Sequence, residues 1–222
     1  MSAAAGARVA AVVGGVVRQA VEDAGATGVV LLDDGSPEAR LAAEWCGAAL
    51  GPERVFRVAP PSGSAVEALL LAAQGAASSA PGATAVAELH RLYGRLMAAD
   101  RKALLAHPAN KTALLLAAAV PPEPLLPLGD LYASEVERLA GSWSAPPEVA
   151  ALADLAGGID RLDAALIEHV DRRRPAEAAL ASLPPAARAA VLDALETGRF
   201  ARRRIGLVPK LTTRTLGVDY FA

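Results

Sequence analysis

The stretch GVVLLDDGSPEA, residues 28–39, decides the fold of this chain. Its apolar run Val29–Leu32 is short and continuous, which is typical of a buried parallel strand. Asp33-Asp34-Gly35 then favours a turn. Ser36-Pro37 has the residue types preferred at the N-cap and first position of a helix, which we expect to run to about Leu50. A strand that turns directly into a helix is typical of α/β folds.

Strand and helix patterns also alternate on both sides of residues 28–39. Further helices are predicted over 7–24, 65–75 and 84–100, and further strands over 54–59 and 102–106. From residue 134 onward the pattern is mainly helical, with breaks at 146–147, 157–158, 175 and 184–185. Strands that alternate with helices predict a three-layer α/β/α arrangement with a central parallel sheet and right-handed connections. We expect a single domain over residues 1–222, with a helical C-terminal part.

Composition limits the class of protein. Hydrophobic residues make up 53% of the 222 residues and charged residues 21%, a balance typical of globular proteins. The net charge of −2 predicts no general attraction to nucleic acid or to an anionic membrane. One cysteine, Cys46, excludes an internal disulfide and fits a reducing cytoplasm. Without a signal-peptide pattern or a long uncharged apolar run, we expect a soluble cytoplasmic protein.

A second stretch, His107–Ala140, has residues in a recognisable order. In ammonia-dependent NAD+ synthetases the corresponding segment reads approximately G-T-x-N-K-S-E, then G-D, then P-x-x-D-L-Y-K-T-x-V-x-x-L-A. The chain resembles this pattern at ten positions, which are Asn110, Lys111, Thr112, Pro127, Asp130, Leu131, Tyr132, Val136, Leu139 and Ala140. The resemblance implies descent from that family.

Other blocks occur in the family's order. Residues 28–39 resemble the strand and pyrophosphatase loop S-G-G-x-D-S, and ALGPERVF at 49–56 resembles A-L-G-x-E-x-V. Residues 158–166 and the basic tail at 202–220 resemble two later blocks. The resemblance implies the Rossmann-like fold of the adenine nucleotide alpha-hydrolase (N-type ATP pyrophosphatase) superfamily, and a homodimer.

The family's chemistry gives expectations for individual positions. In that family ATP adenylates the carboxylate of deamido-NAD+, and ammonia then displaces AMP. If the activity is retained, the resemblance implies ATP and Mg²⁺ as cofactors, with Glu38 at the metal aspartate. By the same resemblance the nucleotide-facing positions are Gly35, Ser36, Lys111, Arg202 and Arg203.

Several reactive positions of the family are substituted. The family's threonine, glutamate and phosphate-binding lysine fall on Pro108, Ala113 and Ala133. Asp33 and Asp34 bring negative charge to the expected phosphate site, and two like charges about 4 Å apart repel by roughly 4 kcal/mol at an effective dielectric of 20. We therefore predict a catalytically degenerate protein that is retained as a scaffold, binding or regulatory protein.

Alternative interpretations remain open at this point. The chain is also consistent with a divergent or repurposed ATP-dependent amide-forming ligase that uses Asp33, Asp34, Glu38 and His107, because two carboxylates and an imidazole can bind a metal or act as a base. Equally, the two aspartates can be turn residues and His107 a solvated strand end. Lys111 can face a ligand or pack at a helix start. An active homologue is a possible partner in place of a second copy.

Overall fold

The computed structural model describes residues 3–60, 83–117, 123–198 and 206–211. In chain order the elements are α1 (Ala3–Asp23), β1 (Val29–Leu32), α2 (Pro37–Leu50), β2 (Val55–Val58), α3 (Ala83–Arg101), β3 (Leu104–Ala106), α4 (Lys111–Leu116), α5 (Ala133–Ala140), α6 (Pro147–Ala156), α7 (Ile159–Leu166), α8 (Ala176–Ala179) and α9 (Pro185–Thr197). A 3₁₀ turn precedes β2 and a π-helical turn follows α7. The helix predicted over 65–75 and the basic residues Arg202 and Arg203 lie outside the described residues.

The sheet is parallel, with β1 between β2 and β3. Val29 is opposite Val55 on one side and Leu104 on the other. The predicted α/β class with a parallel sheet is confirmed. Beyond β3, Leu125 forms single parallel bridges to Ala106 and to Leu207, so two short extended segments continue the sheet edge.

Strand β1 shows why helices cover both faces of the sheet. Successive side chains of a strand point to opposite faces. Val29 and Leu31 belong to the apolar cluster that contains α1 and α2. Val30 and Leu32 belong to the cluster formed with α3. All four β1 residues are buried, which explains the continuous apolar run and the three layers.

Helix α2 begins as the sequence predicts. The Ser36 side chain accepts a hydrogen bond from the Ala39 amide at 3.1 Å, and Pro37 occupies the first helical position, where no amide donor is needed. The helix ends at Leu50, and the next residue, Gly51, has a φ of +94°. The first turn of α2 is thereby held directly beside the end of β1.

Among the described helices, α1 is the one long and apolar enough to cross a membrane. Its segment Ala4–Asp23 is 20 residues long with a mean hydropathy of 1.2, which meets the length and composition of a membrane span. Core helices of soluble proteins and signal sequences have the same character. Here Val13, Val17 and Val21 are at most 1% exposed and pack in the cluster shared with α2. One face of α1 is therefore buried against the rest of the N-terminal part.

The C-terminal part is helical and has its own apolar cluster. Residues of α4, α6, α7 and α9 pack together in it. Helices α6 and α9 begin at the predicted proline pairs, and Gly157, with a φ of +85°, ends α6. A glycine adopts this left-handed conformation without the steric cost of a Cβ atom. The predicted helix breaks at these positions are therefore confirmed.

Candidate functional site

A cavity of about 560 Å³ opens at the carboxyl ends of β1 and β3. Helix α3, residues 107–110, 113, 114 and 117, and residues 144–146 contribute further parts of its wall. Carboxyl ends of parallel strands are where open α/β sheets bind ligands. Leu32, Pro108 and Leu114 contribute apolar surface to the wall. Among the described residues the crevice is open, with Pro108 lining it, and its volume lies within the range of about 300–1,000 Å³ typical of small-molecule sites.

The loop after β1 uses its backbone amides within itself. The Gly35 amide donates to Asp33 Oδ1 at 3.0 Å, and the Ser36 amide donates to Asp34 Oδ1 at 3.0 Å. The Ala39 amide donates to Ser36 Oγ, and Pro37 has no amide hydrogen. Phosphate cradles need free amides that point at the anion. At these four positions the donors are either bonded or absent.

Gly35 has a local structural explanation. Its φ is +80°, a conformation in which a side chain is strained, and a Cβ atom there would meet no atom within 4 Å. The turn geometry alone therefore calls for glycine at this position. Gly35 is not among the residues that line the cavity, whereas Ser36 is.

Glu38 is buried, with 4% exposure, and its carboxylate is surrounded by donors. Asn110 Nδ2 donates to Oε1 at 3.2 Å, and the Ser144 hydroxyl donates to Oε2 at 2.9 Å. The Ser144 backbone amide adds bonds of 3.0 and 3.1 Å to the two oxygens. Glu38 thus joins the first turn of α2 to the start of α4 and to the loop before α6. Metal ligation by Glu38 would require breaking some of these bonds.

The two aspartates after β1, Asp33 and Asp34, have different surroundings. Asp33 Oδ2 accepts hydrogen bonds from Arg57 Nε at 2.6 Å and Arg57 Nη2 at 2.5 Å, which turns this carboxylate toward β2. Asp34 lines the cavity. Among the residues the structure describes, no three His, Cys, Asp or Glu side chains converge as a metal site requires.

His107 is half-buried on the cavity wall. Its Nδ1 accepts a hydrogen bond from the Ala109 amide at 3.1 Å, so this nitrogen carries no proton and Nε2 is assigned the N–H. Burial lowers the pKa of His107 from 6.5 to about 4, against the opposing attraction of Asp34. His107 is therefore a neutral donor at pH 7, and acceptance of a proton is unfavourable there.

Helix α3 contributes two wall residues that the sequence did not single out as ligand-facing. His90 is 7% exposed, and its Nε2 donates to the Val58 carbonyl. Arg91 also lines the cavity and pairs with Glu88 at 2.8 Å. Only the orientation of α3 in the fold identifies the face that meets the cavity.

Lys111 does not line the cavity. Its ammonium is fully buried and lies 2.9 Å from Asp130 Oδ1 and 2.8 Å from Asp171 Oδ1. The sequence left two interpretations of Lys111 open, contact with a ligand or packing at a helix start. The contacts in the structure are those of packing at the start of α4. A buried ammonium needs such partners because an unpaired charge in the interior is costly.

The neighbouring residues extend this internal network. The Thr112 hydroxyl donates to Asp163 Oδ1 at 2.7 Å and accepts from the Ala133 amide at 2.9 Å. The Ser134 amide donates to Asp163 Oδ2 at 2.7 Å. Burial raises the pKa of Asp163 to about 6, although these hydrogen bonds act in the opposite direction. The residues that match the family pattern thus connect α4, α5 and α7.

Comparisons with known proteins agree on the fold. No protein-family model matches the chain, and no curated protein matches it. The solved NH3-dependent NAD synthetase from Campylobacter jejuni, in complex with the nitrate ion, superposes with a TM-score of 0.67 at 20% identity, over 90% of this chain and 96% of that one. The glutamine-dependent NAD+ synthetase from Acinetobacter baumannii, in complex with ADP, gives 0.47 at 19% identity, over 96% of this chain and 48% of that one. The first of these two superpositions shows that the chain has an NAD synthetase-like fold, as the sequence resemblance predicts.

Proposed function

We propose that this protein is a catalytically degenerate NAD synthetase-like protein that keeps the fold and a ligand cavity and acts as a binding protein. The amide-forming reaction of the family depends on holding a triphosphate and a metal beside the loop after β1. The proposal is that this loop now serves to shape the cavity and to anchor helix α2.

The observation that carries the proposal is the internal use of the loop amides. Gly35, Ser36 and Ala39 donate to acceptors inside the loop, and position 37 is a proline. A pyrophosphate would have to displace the Asp33 and Asp34 side chains from these amides, and would still meet the negative charge of Asp34. Preorganised donors are worth about 10²–10³ in rate each, so their loss at several positions removes most of the catalytic advantage.

The metal-binding side supports the same proposal. Glu38 is fully engaged with Asn110 and Ser144. Ala113, at the position of a family glutamate, lines the cavity with a methyl group that cannot ligate a cation. Mg²⁺ prefers several oxygen ligands in near-octahedral geometry. These residues do not fit a Mg²⁺-ATP complex.

An assay of both half-reactions tests the proposal. The protein is incubated with Mg-ATP, deamido-NAD+ and ammonium, and AMP and NAD+ are quantified against an active ammonia-dependent NAD+ synthetase. We expect no AMP above the background of a boiled sample, and no calorimetric signal for Mg-ATP. AMP formation that disappears in a Glu38→Gln variant would overturn the proposal and favour a divergent ligase. AMP formation that persists in this variant but disappears in Asp34→Asn would favour a repurposed enzyme.

The assembly and location follow as further parts of the proposal. The resemblance implies a homodimer, which sedimentation equilibrium of the purified chain would test. A single monomeric species across micromolar concentrations would contradict it. Co-purification of an active NAD synthetase would point to a mixed assembly. A cytoplasmic location is proposed from the sequence, and fractionation of cells that express the tagged chain tests it.

A further inference from the structure

Helix α3, Ala83–Arg101, carries apolar residues on two opposite faces. One face packs on the sheet, where Gly94 lies against Leu32. On the other face Leu92 and Leu96 are exposed. A helix at the surface of a globular protein normally has polar residues on its outer side. The outer apolar face of α3 is therefore a candidate interaction surface.

The exposed apolar residues of α3 form a group. Leu92, Tyr93 and Leu96 are 52%, 47% and 60% exposed. Elsewhere in the described parts of the chain, large apolar side chains of comparable exposure stand singly, as Val12 on α1, Leu155 on α6, Leu192 on α9 and Leu207 do. Single exposed apolar residues are normal, whereas a contiguous group marks an interaction surface.

The outer apolar residues of α3 have the spacing of a coiled-coil seam. They are Leu89, Leu92, Leu96 and Ala99, of which Leu89 is half-buried and the other three are exposed. The intervals of three, four and three residues are those of positions a and d in a heptad repeat. Such a stripe packs well against a second helix that carries the same stripe, because side chains of each helix fill holes in the other. These four residues are called the α3 seam below.

The charges beside the α3 seam complement those of a second copy. Glu88, Arg95 and Asp100 are exposed on this side of the helix. In a two-fold pair of antiparallel helices, Arg95 faces Glu88 of the other copy, seven positions away in the sequence. In a parallel pair Arg95 instead faces Asp100 of the other copy, five positions further along. Arg95 thus meets a carboxylate of a second copy in either direction, and the symmetry forms each pair twice.

The side chains that would form these pairs are available. Arg95 Nη2 lies 3.8 Å from Glu123 Oε1, which exceeds hydrogen-bond distance. Glu88 Oε1 contacts Arg91 of the same helix at 2.8 Å, and its second oxygen can accept from another donor. A hydrogen-bonded pair with a second copy would be stronger than the long contact that Arg95 makes within the chain.

We infer that two copies of this chain associate through helix α3, with the α3 seam of one copy packed against that of the other. The inference rests on the homodimer part of the proposed function, for which it supplies the surface, and does not depend on the loss of catalysis. Burial of the exposed leucines supplies affinity, and the charge pairs supply specificity. Arg91 lines the cavity and contacts Glu88, so each cavity adjoins this interface.

A charge placed in the seam tests the surface. Sedimentation equilibrium of the wild-type chain at micromolar concentrations should show a dimer. Leu92→Glu places one carboxylate from each copy in the apolar seam, so the dissociation constant should rise at least about 100-fold. The matched control is Leu155→Glu, since Leu155 is 48% exposed on α6, outside the seam, and this variant should dimerise as wild type does. Far-UV circular dichroism checks that both variants keep their helices.

Charge reversal tests the pairing across the seam. Arg95→Glu brings carboxylates together in the dimer, and the double variant Glu88→Arg, Asp100→Arg brings arginines together, whichever direction the helices take. Each should dimerise at least about tenfold more weakly than wild type. In an equimolar mixture the two variants have opposite charges at every such contact, so a mixed dimer should form about as tightly as the wild-type dimer.

Three results would overturn the inference. A wild-type chain that stays monomeric across these concentrations also contradicts the homodimer part of the proposed function. A dimer that Leu92→Glu leaves intact shows that copies associate through another surface. A mixture that is no tighter than its two components shows that the charges beside the seam do not meet. AMP formation in the ligase assay, in contrast, contradicts the proposed loss of catalysis and is independent of this interface.

Discussion

Glu38 and Ser144, 106 positions apart in the chain, meet at the cavity, where the Ser144 amide and hydroxyl both donate to the Glu38 carboxylate. The amide lies 3.0 and 3.1 Å from the two oxygens, and the hydroxyl lies 2.9 Å from Oε2. The contact joins the N-terminal sheet region to the helical C-terminal part. A residue at a family metal position therefore holds two parts of this fold together.

The first prediction concerns this contact. Glu38→Ala removes the acceptor of the Ser144 and Asn110 donors and leaves them in a buried site, so the free energy of unfolding should fall by about 2–4 kcal/mol. Urea denaturation followed by circular dichroism measures the change. Glu44→Ala, on the exposed face of the same helix, should stay within about 0.5 kcal/mol of wild type. Equal stabilities of the two variants would contradict the structural role of Glu38.

The second prediction concerns the buried ammonium. Lys111→Met leaves Asp130 and Asp171 without this cation in the interior, so the free energy of unfolding should fall by about 3–5 kcal/mol. The control is Arg172→Met, which breaks an exposed pair with Glu168 and should cost less than about 1 kcal/mol. If Lys111 instead serves a ligand, Lys111→Met should retain stability and change ligand affinity.

The third prediction concerns the acid side of the stability profile. The pKa of His107 is about 4 in the folded protein and about 6.5 in the unfolded chain. Between these values the unfolded state binds the extra proton, so stability from His107 is complete above pH 6.5 and is lost as the pH falls to 4. His107→Asn places an oxygen where Nδ1 accepts from the Ala109 amide and removes the titration.

As the pH is lowered from 7 to 4, the free energy of unfolding of His107→Asn should therefore rise relative to that of wild type by about 1–2 kcal/mol. This is less than the full effect of the pKa shift, because the side chain is partly exposed. Urea denaturation across this pH range provides the measurement. A difference between variant and wild type that is independent of pH would show that His107 titrates normally in the folded state.

The fourth prediction concerns Asp163, whose contribution to stability changes with pH in the direction opposite to that of His107. The pKa of Asp163 is raised from 3.8 to about 6, so between these values the folded state holds the proton. Stability from this group is present below pH 3.8 and is lost as the pH rises through 6. Relative to wild type, Asp163→Asn should lose about 2–3 kcal/mol as the pH is lowered from 7 to 4.

The exposed Asp154→Asn, on α6, serves as the matched control and should show no such trend. Because the His107 and Asp163 effects oppose each other over nearly the same interval, wild type should have a shallow acid limb. A steep wild-type acid limb, with both variants parallel to it, would show that other groups dominate acid unfolding.

Local sequence patterns were sufficient to predict the central strand and the ends of several helices. Ser36-Pro37 located the start of α2, the run Val29–Leu32 located the central strand, and the proline and glycine pairs located helix ends. These signals are local because capping and backbone conformation involve residues within a few positions of each other. Near Leu125 local pattern is less informative, because Pro124 and Pro127 lack amide donors and yet Leu125 between them bridges to two neighbouring segments.

The roles of the site residues could not be predicted from such local patterns. Glu38 matched a metal position and Lys111 a nucleotide position by resemblance, whereas their structural partners lie 19 to 106 positions away. His90 gave no ligand signal, because no cysteine or second histidine stands at ligand spacing on its helix. Arg202 and Arg203 lie outside the described residues, and their expected contact with a ligand stays a prediction.

By itself the sequence predicted the order of the main strands and helices, the NAD synthetase-like fold and the substituted positions, since each of these depends on neighbouring residues or on their order. Only the tertiary structure decided that the described residues form a cavity, that the loop amides are used within the loop, and that Glu38 bonds to Ser144. The physical reason is that hydrogen bonding and charge balance at a site depend on groups brought together by folding. Asp34 shows this difference: the sequence predicts a turn residue, and the folded structure also places it on the cavity wall.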